Sequence, residues 1–230
     1  MTRFLLIAAL ATASFPATAA ERNFSITSFD RIRVEGPFAV TLVTGKAPFA
    51  RASGSAQGLD GVAVEINGRT LVIRPNRSSW GGYPGQQRGP VEISVGTHEL
   101  RSAVLNGSGS LAINAVKGLA FDLTIQGAGT ASIDQVGVDR LTTGIAGAGS
   151  ARLAGKALKF TAVVRGTSAL DAGALQVKDL KIGAEGPTTV RAVATNSADV
   201  TARGLSAVTL AGNPACKVVA EGSATVSGCR

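Results

Sequence analysis

A glycine returns at almost fixed intervals through the second half of this chain. It stands at Gly107, Gly127, Gly147, Gly166, Gly186, Gly204 and Gly222. Around each one the side chains alternate. Two positions before it come Leu105, Ile125, Ile145, Val164, Ala184, Ala202 and Ala220; four after it come Leu111, Ala131, Ala151, Leu170, Val190, Val208 and Val226. Alternation with period two marks strands with one buried face. Each unit therefore reads as strand, Gly turn, strand, then a short connection such as 135–140 or 212–215. A repeat of about 19 residues matches one coil of a parallel β-solenoid, whose successive coils stack about 4.8 Å apart. Glycine suits the turn because it reaches positive φ without steric cost and lets neighbouring turns approach closely. The expected fold is all-β: a single-stranded, right-handed parallel β-helix with an irregular β N-terminal part. A twisted β-sandwich is the alternative, although it gives no reason for one Gly-centred register in seven consecutive units.

Composition narrows the function. The chain has 230 residues and 29 glycines, far short of the one-third that collagen needs. With one His and two Cys, three-histidine and four-cysteine metal sites are excluded. No apolar run of about 18 residues suggests a membrane-spanning helix.

Residues 1–20 read as an export leader. Arg3 precedes an apolar stretch, Phe4 to Ala13, and Ala17-Thr18-Ala19 offers a small-x-small cleavage site. Residues 21–230 are then one exported domain, periplasmic or secreted. An oxidising compartment favours pairing of Cys216 with Cys229, a staple on the last turn. Two free buried thiols are the alternative. Removing Arg3 leaves 22 basic and 15 acidic residues, a net charge of +7. That balance suits an anionic polymer or surface. It is not by itself a nucleic-acid signature, and a solvated basic surface explains it equally.

Outward positions carry a register test. Arg165, Glu185, Arg203 and Glu221 each precede a turn glycine and alternate in sign, as do Arg152, Asp171 and Arg191. Stacked coils would make these columns into ladders of opposite charge. Upstream, 29–34 and 38–43 flank Glu35-Gly36-Pro37, and 62–66 and 71–74 flank the hairpin signal Asn67-Gly68. Phe24, Phe29, Phe38 and Phe49 suggest a thicker core at that end.

One segment breaks the pattern. Residues 74–90, RPNRSSWGGYPGQQRGP, hold the only Trp and Tyr, Trp80 and Tyr83, among Arg74, Arg77 and Arg88. Four glycines and three prolines exclude a helix or central strand. Aromatic faces stack on sugar rings, and Arg pairs bidentately with carboxylate or phosphate. The five residues Arg74, Arg77, Trp80, Tyr83 and Arg88 are thus a candidate contact for an envelope polysaccharide or a protein partner. An insertion without a binding role is the competing reading.

Catalysis has weaker support. A glycosidase needs two carboxylates across one bond, and Asp134 with Asp139, or Asp171 with Asp179, are the nearest pairs in sequence. Nothing aligns either pair with a base. His98 reads as structural, and no nucleophile elbow or calcium-binding nonapeptide occurs. No catalytic residue, metal or cofactor is expected. A carbohydrate-active enzyme on a β-helix scaffold remains the alternative function.

Three stretches carry a family likeness: Phe29-Asp30-Arg31-Ile32-Arg33-Val34, Gly36-Pro37-Phe38-Ala39-Val40 and Gly68-Arg69-Thr70-Leu71-Val72-Ile73. With the Gly-Ala-Gly turns at Gly127 and Gly147 and the closing Leu210-Ala211-Gly212-Asn213-Pro214, the chain over about 29–228 resembles the head GIN domain family, also named for auto-transporter adhesins. The chain departs from that pattern after Gly149, where Gly166-Thr167-Ser168 and Gly186-Pro187-Thr188 lack the second glycine. The resemblance implies an exported β-helical domain of bacterial envelopes whose biochemical role is undefined, with no catalytic residues to carry over; the residues themselves suggest a non-catalytic envelope binding or structural module, adhesin-like in kind.

Overall fold

The computed structural model describes residues 20–76 and 89–229. It is a parallel β-solenoid of about six coils, with one short helix among the described residues, α1 (Ala56–Asp60). The regular part runs through β8 (Ser102–Gly107), β9 (Ser110–Gly127), β10 (Thr130–Gly147), β11 (Ser150–Gly166), β12 (Ala169–Glu185), β13 (Thr189–Gly204), β14 (Ala207–Ala211), β15 (Ala215–Gly222) and β16 (Thr225–Ser227). Each coil pairs in parallel with the next, turn glycine opposite turn glycine, as in Gly107↔Gly127 and Gly147↔Gly166. The sandwich alternative is therefore excluded.

Burial along β10 shows three faces. Ala131 and Ile133 point inward, then Val136 and Val138, then Leu141, Thr143 and Ile145; exposed pairs 134–135 and 139–140 separate the runs. One expectation needs correcting here. Residues 135–140 are not a loose connection, because Gln135 to Val138 and Arg140 stay paired with the coil above. Parallel coils stack at their corners as well as along their faces, so the ladder resumes within a residue of each bend.

Differences in coil length are absorbed at one corner. Pairing shifts between Ile133 and Val136, between Arg152 and Ala154, and between Ala172 and Gln176, with a smaller adjustment before Asp179. The turn column is left undisturbed. Its glycines are there for a steric reason: Gly127 has φ 106°, and a Cβ on it would lie 2.7 Å from the Gly107 carbonyl oxygen.

The second turn column explains the departure from Gly-x-Gly. A Cβ at Gly129 or Gly149 would strike Leu105 or Ile125, at 2.7 and 2.8 Å. By the same offset the later turn positions, Ser168, Thr188 and Ser206, all three buried, stand against Ile145, Val164 and Ala184 of the coil above. Ser168 Oγ donates within this turn region, its partners being the carbonyls of Gly147 (3.0 Å) and Arg165 (2.9 Å). At Thr188 and Ser206 the interior residue above is smaller, Val164 and Ala184, so larger turn residues take up space that smaller interior ones leave.

The N-terminal part caps this stack. It comprises β1 (Ala20–Phe24), β2 (Arg31–Glu35), β3 (Ala39–Thr44), β4 (Phe49–Gly54), β5 (Val62–Asn67), β6 (Thr70–Pro75) and β7 (Val91–Thr97). β2 and β3 lie above β8 and the start of β9, so Gly36, φ 96°, joins the turn column although it is far from Gly107 in sequence. Above them lie β6 on β2 and β7 on β3. The end of β6 and the start of β7 therefore flank the place where lower coils have a glycine turn. Antiparallel edges finish the cap: β5 on β6, closed by Asn67↔Thr70, and β4 with β1 on β7. Phe29 and Phe38 are buried as expected, but Phe49 is 40% exposed, and Phe121 and Phe160 fill the regular coils instead.

Candidate functional site

The residues expected to bind fall in two places. Arg74 belongs to β6 rather than to the loop, and its guanidinium is 2.9 Å from Glu65 Oε1 across the hairpin. Arg77, Trp80, Tyr83 and Arg88 lie outside the described residues, as does the expected leader up to Ala19. Where β6 ends and β7 begins, Pro37, Phe38, Pro75, Pro90 and Val91 line an apolar depression of about 270 Å³. The Cys216–Cys229 disulfide is present, with Cα atoms 5.7 Å apart.

The candidate carboxylate pairs are not brought together. Asp134 and Asp139 sit on different corners, and Asp171 and Asp179 on different faces of their coil. Asp171 Oδ1 accepts a hydrogen bond from its own Gly173 N at 3.1 Å. Among the described residues no group of three or more His, Cys, Asp or Glu is placed to hold a metal ion. None of their helices is long and apolar enough to cross a membrane.

The surface that stands out is the corner between the second and third faces. Its outermost column reads Leu119, Asp139, Leu158, Lys178 from coil to coil, set by the pairings on either side. Leu119 is 79% exposed and Leu158 53%. Flanking columns hold Lys117 and Lys156 on one side and Arg140 and Lys159 on the other. Five basic residues thus surround two leucines, against the carboxylates of Asp139 and Asp179. Shallow depressions of about 330 Å³ lie on each side of Leu158, one reaching Lys156 and Lys178, the other Leu119 and Arg140.

Asp179 is already occupied. Its Oδ1 accepts from Asn196 Nδ2 at 2.6 Å and Ser197 Oγ at 2.8 Å. Those two bonds, Asn196 foremost, hold its carboxyl below the usual 3.8; burial opposes the shift, and Lys178 and Lys159 add to it. A charged Asp179 thus belongs to the solenoid wall.

The sequence contained the signal for this corner. Leu119 and Leu158 occupy nearly the same place after Gly107 and Gly147, in the column that also holds Asp139 and Lys178. Following only the columns nearest the turn misses it, because assigning the column to a corner needs the three-face cross-section.

The solved structures similar to this one share its fold. A putative adhesin from Bacteroides fragilis is 19% identical, with a TM-score of 0.77 over 92% of this chain and 97% of that one. A protein from Parabacteroides distasonis described as a putative lipid binding protein is also 19% identical, with a TM-score of 0.72 over 93% and 98%. A putative adhesin from Parabacteroides merdae is 15% identical, with a TM-score of 0.63 over 93% and 97%. No curated protein matches the sequence. The family model described as "Putative auto-transporter adhesin, head GIN domain" matches residues 28–214. The chain belongs to that family.

Proposed function

We propose that this protein is an exported, non-catalytic, adhesin-like binding module of the cell envelope, and that it attaches to an anionic lipid surface through the Leu119–Leu158 corner. Residues 1–20 serve as the leader and 21–230 as one domain. The observation that carries the reading is the pair of exposed leucines, on either side of Asp139, inside a ring of Lys117, Arg140, Lys156, Lys159 and Lys178. Exposed apolar side chains rimmed by basic ones are the chemistry of an interfacial contact: the leucines enter the acyl boundary and each cation gains about 1 kcal/mol near an anionic surface. An acidic polysaccharide would use the cations and leave the leucines without a role. The segment with Arg77, Trp80, Tyr83 and Arg88 is a second contact in this proposal. It adds aromatic and guanidinium groups to the same basic protein.

Co-sedimentation with vesicles tests this. Mature protein is expected to bind vesicles containing an anionic phospholipid and to release in high salt. Vesicles of neutral phospholipid should not hold it. Leu119→Ser with Leu158→Ser should weaken binding about tenfold or more, on the order of one buried apolar side chain. Lys156→Glu with Lys159→Glu should do the same at low salt only. Equal binding by all variants, or binding to acidic polysaccharide but not to vesicles, would reject the lipid reading.

A further inference from the structure

Among the described residues the last strand of the third face, β15, is an open edge. β15 pairs with β13 above it and, among the described residues, with no strand below. Val218 and Ala220 continue the inward columns of Val200 and Ala202, yet Val218 is 41% exposed, since no strand among the described residues stacks beneath it. Val219, on the outer face, is 41% exposed as well. An apolar strand edge with free N–H and C=O groups is a template for another strand.

The charges around that edge indicate which strand. On the outer face, Arg165, Glu185, Arg203 and Glu221 form one column. Arg165 Nε is 3.3 Å from Glu185 Oε2, and Arg203 Nε is 2.9 Å from Glu221 Oε2. Further back along the same strands, Lys181, Asp199 and Lys217 form a second column. Both alternate in sign, and they end on opposite charges, Glu221 and Lys217. Between them runs an uncharged column that ends on Val219.

We propose that two copies of this chain join end to end, β15 pairing antiparallel with β15 of the partner subunit about a two-fold axis at Val219. In that register Lys217 faces Glu221 of the partner subunit, twice. Val218 faces Ala220 of the partner subunit and closes the open core. Each charge column then crosses the junction without a break in alternation: Arg165, Glu185, Arg203, Glu221, then Lys217 of the partner subunit and Asp199 of the partner subunit. No other register achieves this. Moving the axis one residue to Val218 or Ala220 leaves Lys217 and Glu221 facing uncharged residues. Moving it to Lys217 or Glu221 sets like charges face to face. An axis between residues opposes inward to outward side chains. The interface is isologous, so it closes at two copies rather than growing into a filament.

The test is the mass of oxidised mature protein in solution, by sedimentation at about 100 µM, where a micromolar Kd leaves the dimer dominant. The expected mass is that of two chains. Val219→Lys sets like charges at the axis and should give one chain. Lys217→Glu opposes Glu to Glu, and Glu221→Lys opposes Lys to Lys, so each variant alone should sediment as a monomer. Mixed in equal amounts, these two variants face each other with opposite charges at both positions and should recover the mass of two chains. A fold damaged by either substitution cannot produce that recovery, and thermal melts by circular dichroism confirm that each variant is folded. A monomeric parent protein, a mass above two chains, single variants that remain dimers, or folded variants whose mixture stays monomeric would each overturn the proposal.

Discussion

The coils below Ser102 and the cap above them are built from the same strands but held by different constraints. In the coils most residues have a counterpart one turn away, and the glycine column keeps the register through the stack despite the shifts at the corners. Among the described residues the cap has one such turn, at Gly36, and its other strands are set by the Asn67-Gly68 hairpin and by antiparallel edges. A repeat can be specified by one column of glycines because an error in any coil is carried to its neighbours. A cap must end the repeat, so each strand needs its own local instruction.

Glycine substitutions should break this comparison most visibly. Gly127→Ala is expected to cost about 3 kcal/mol or more, combining a left-handed penalty with a backbone clash against Gly107. Gly68→Ala, at φ 62° with open space around it, should cost about 1 kcal/mol. Urea unfolding measures both, and equal losses would erase the distinction between column and hairpin. Next in size is the Cys216–Cys229 staple. Cys216→Ser with Cys229→Ser should cost about 3 kcal/mol on the loop-entropy model, felt as faster amide exchange in β15 and β16 before any change in the cap.

The charge ladder is a smaller effect. Glu185→Arg places three like charges in register with Arg165 and Arg203 and should lower stability by about 1 kcal/mol, since the pairs are exposed. Adding Arg165→Glu and Arg203→Glu should recover part of that loss, read as melting temperature; strictly additive losses would argue against coupling between coils. The smallest effect concerns Asp179. Its folded pKa lies below 3.8, so any stability it supplies is fully present above that value and is lost as pH falls through the folded pKa. A carboxyl NMR titration should place its midpoint below 3.8, and Asn196→Ala should raise that midpoint.

What can be read from the residues alone follows the same division. The coil stack is legible because turn, alternation and charge columns repeat and agree with one another, and the Cys216–Cys229 pairing follows from export and from the absence of any other cysteine. The continuous pairing through 135–140 is not legible, since a corner of a solenoid and a loop share the same polar composition. Phe49 misleads for a related reason: it opens β4 on the outward side of the strand, next to buried Ala50, where hydrophobicity does not imply burial. The Leu119–Leu158 corner escapes notice because apolar residues in an apparently variable connection carry no alternation to mark them as outward. The segment between Arg74 and Pro90 stands out by its unusual composition, yet only the fold reveals that the end of β6 and the start of β7 lie over the turn column.

The attachment proposal is tested most directly by moving the fluorescent reporter. Trp80 is the only tryptophan, so Trp80→Phe combined with Leu158→Trp places a single indole at the basic corner. Adding vesicles of anionic phospholipid should shift its emission to shorter wavelength, and high salt should reverse the shift. If this indole shows no shift while the parent protein binds the same vesicles, the Leu119–Leu158 corner is not the contact.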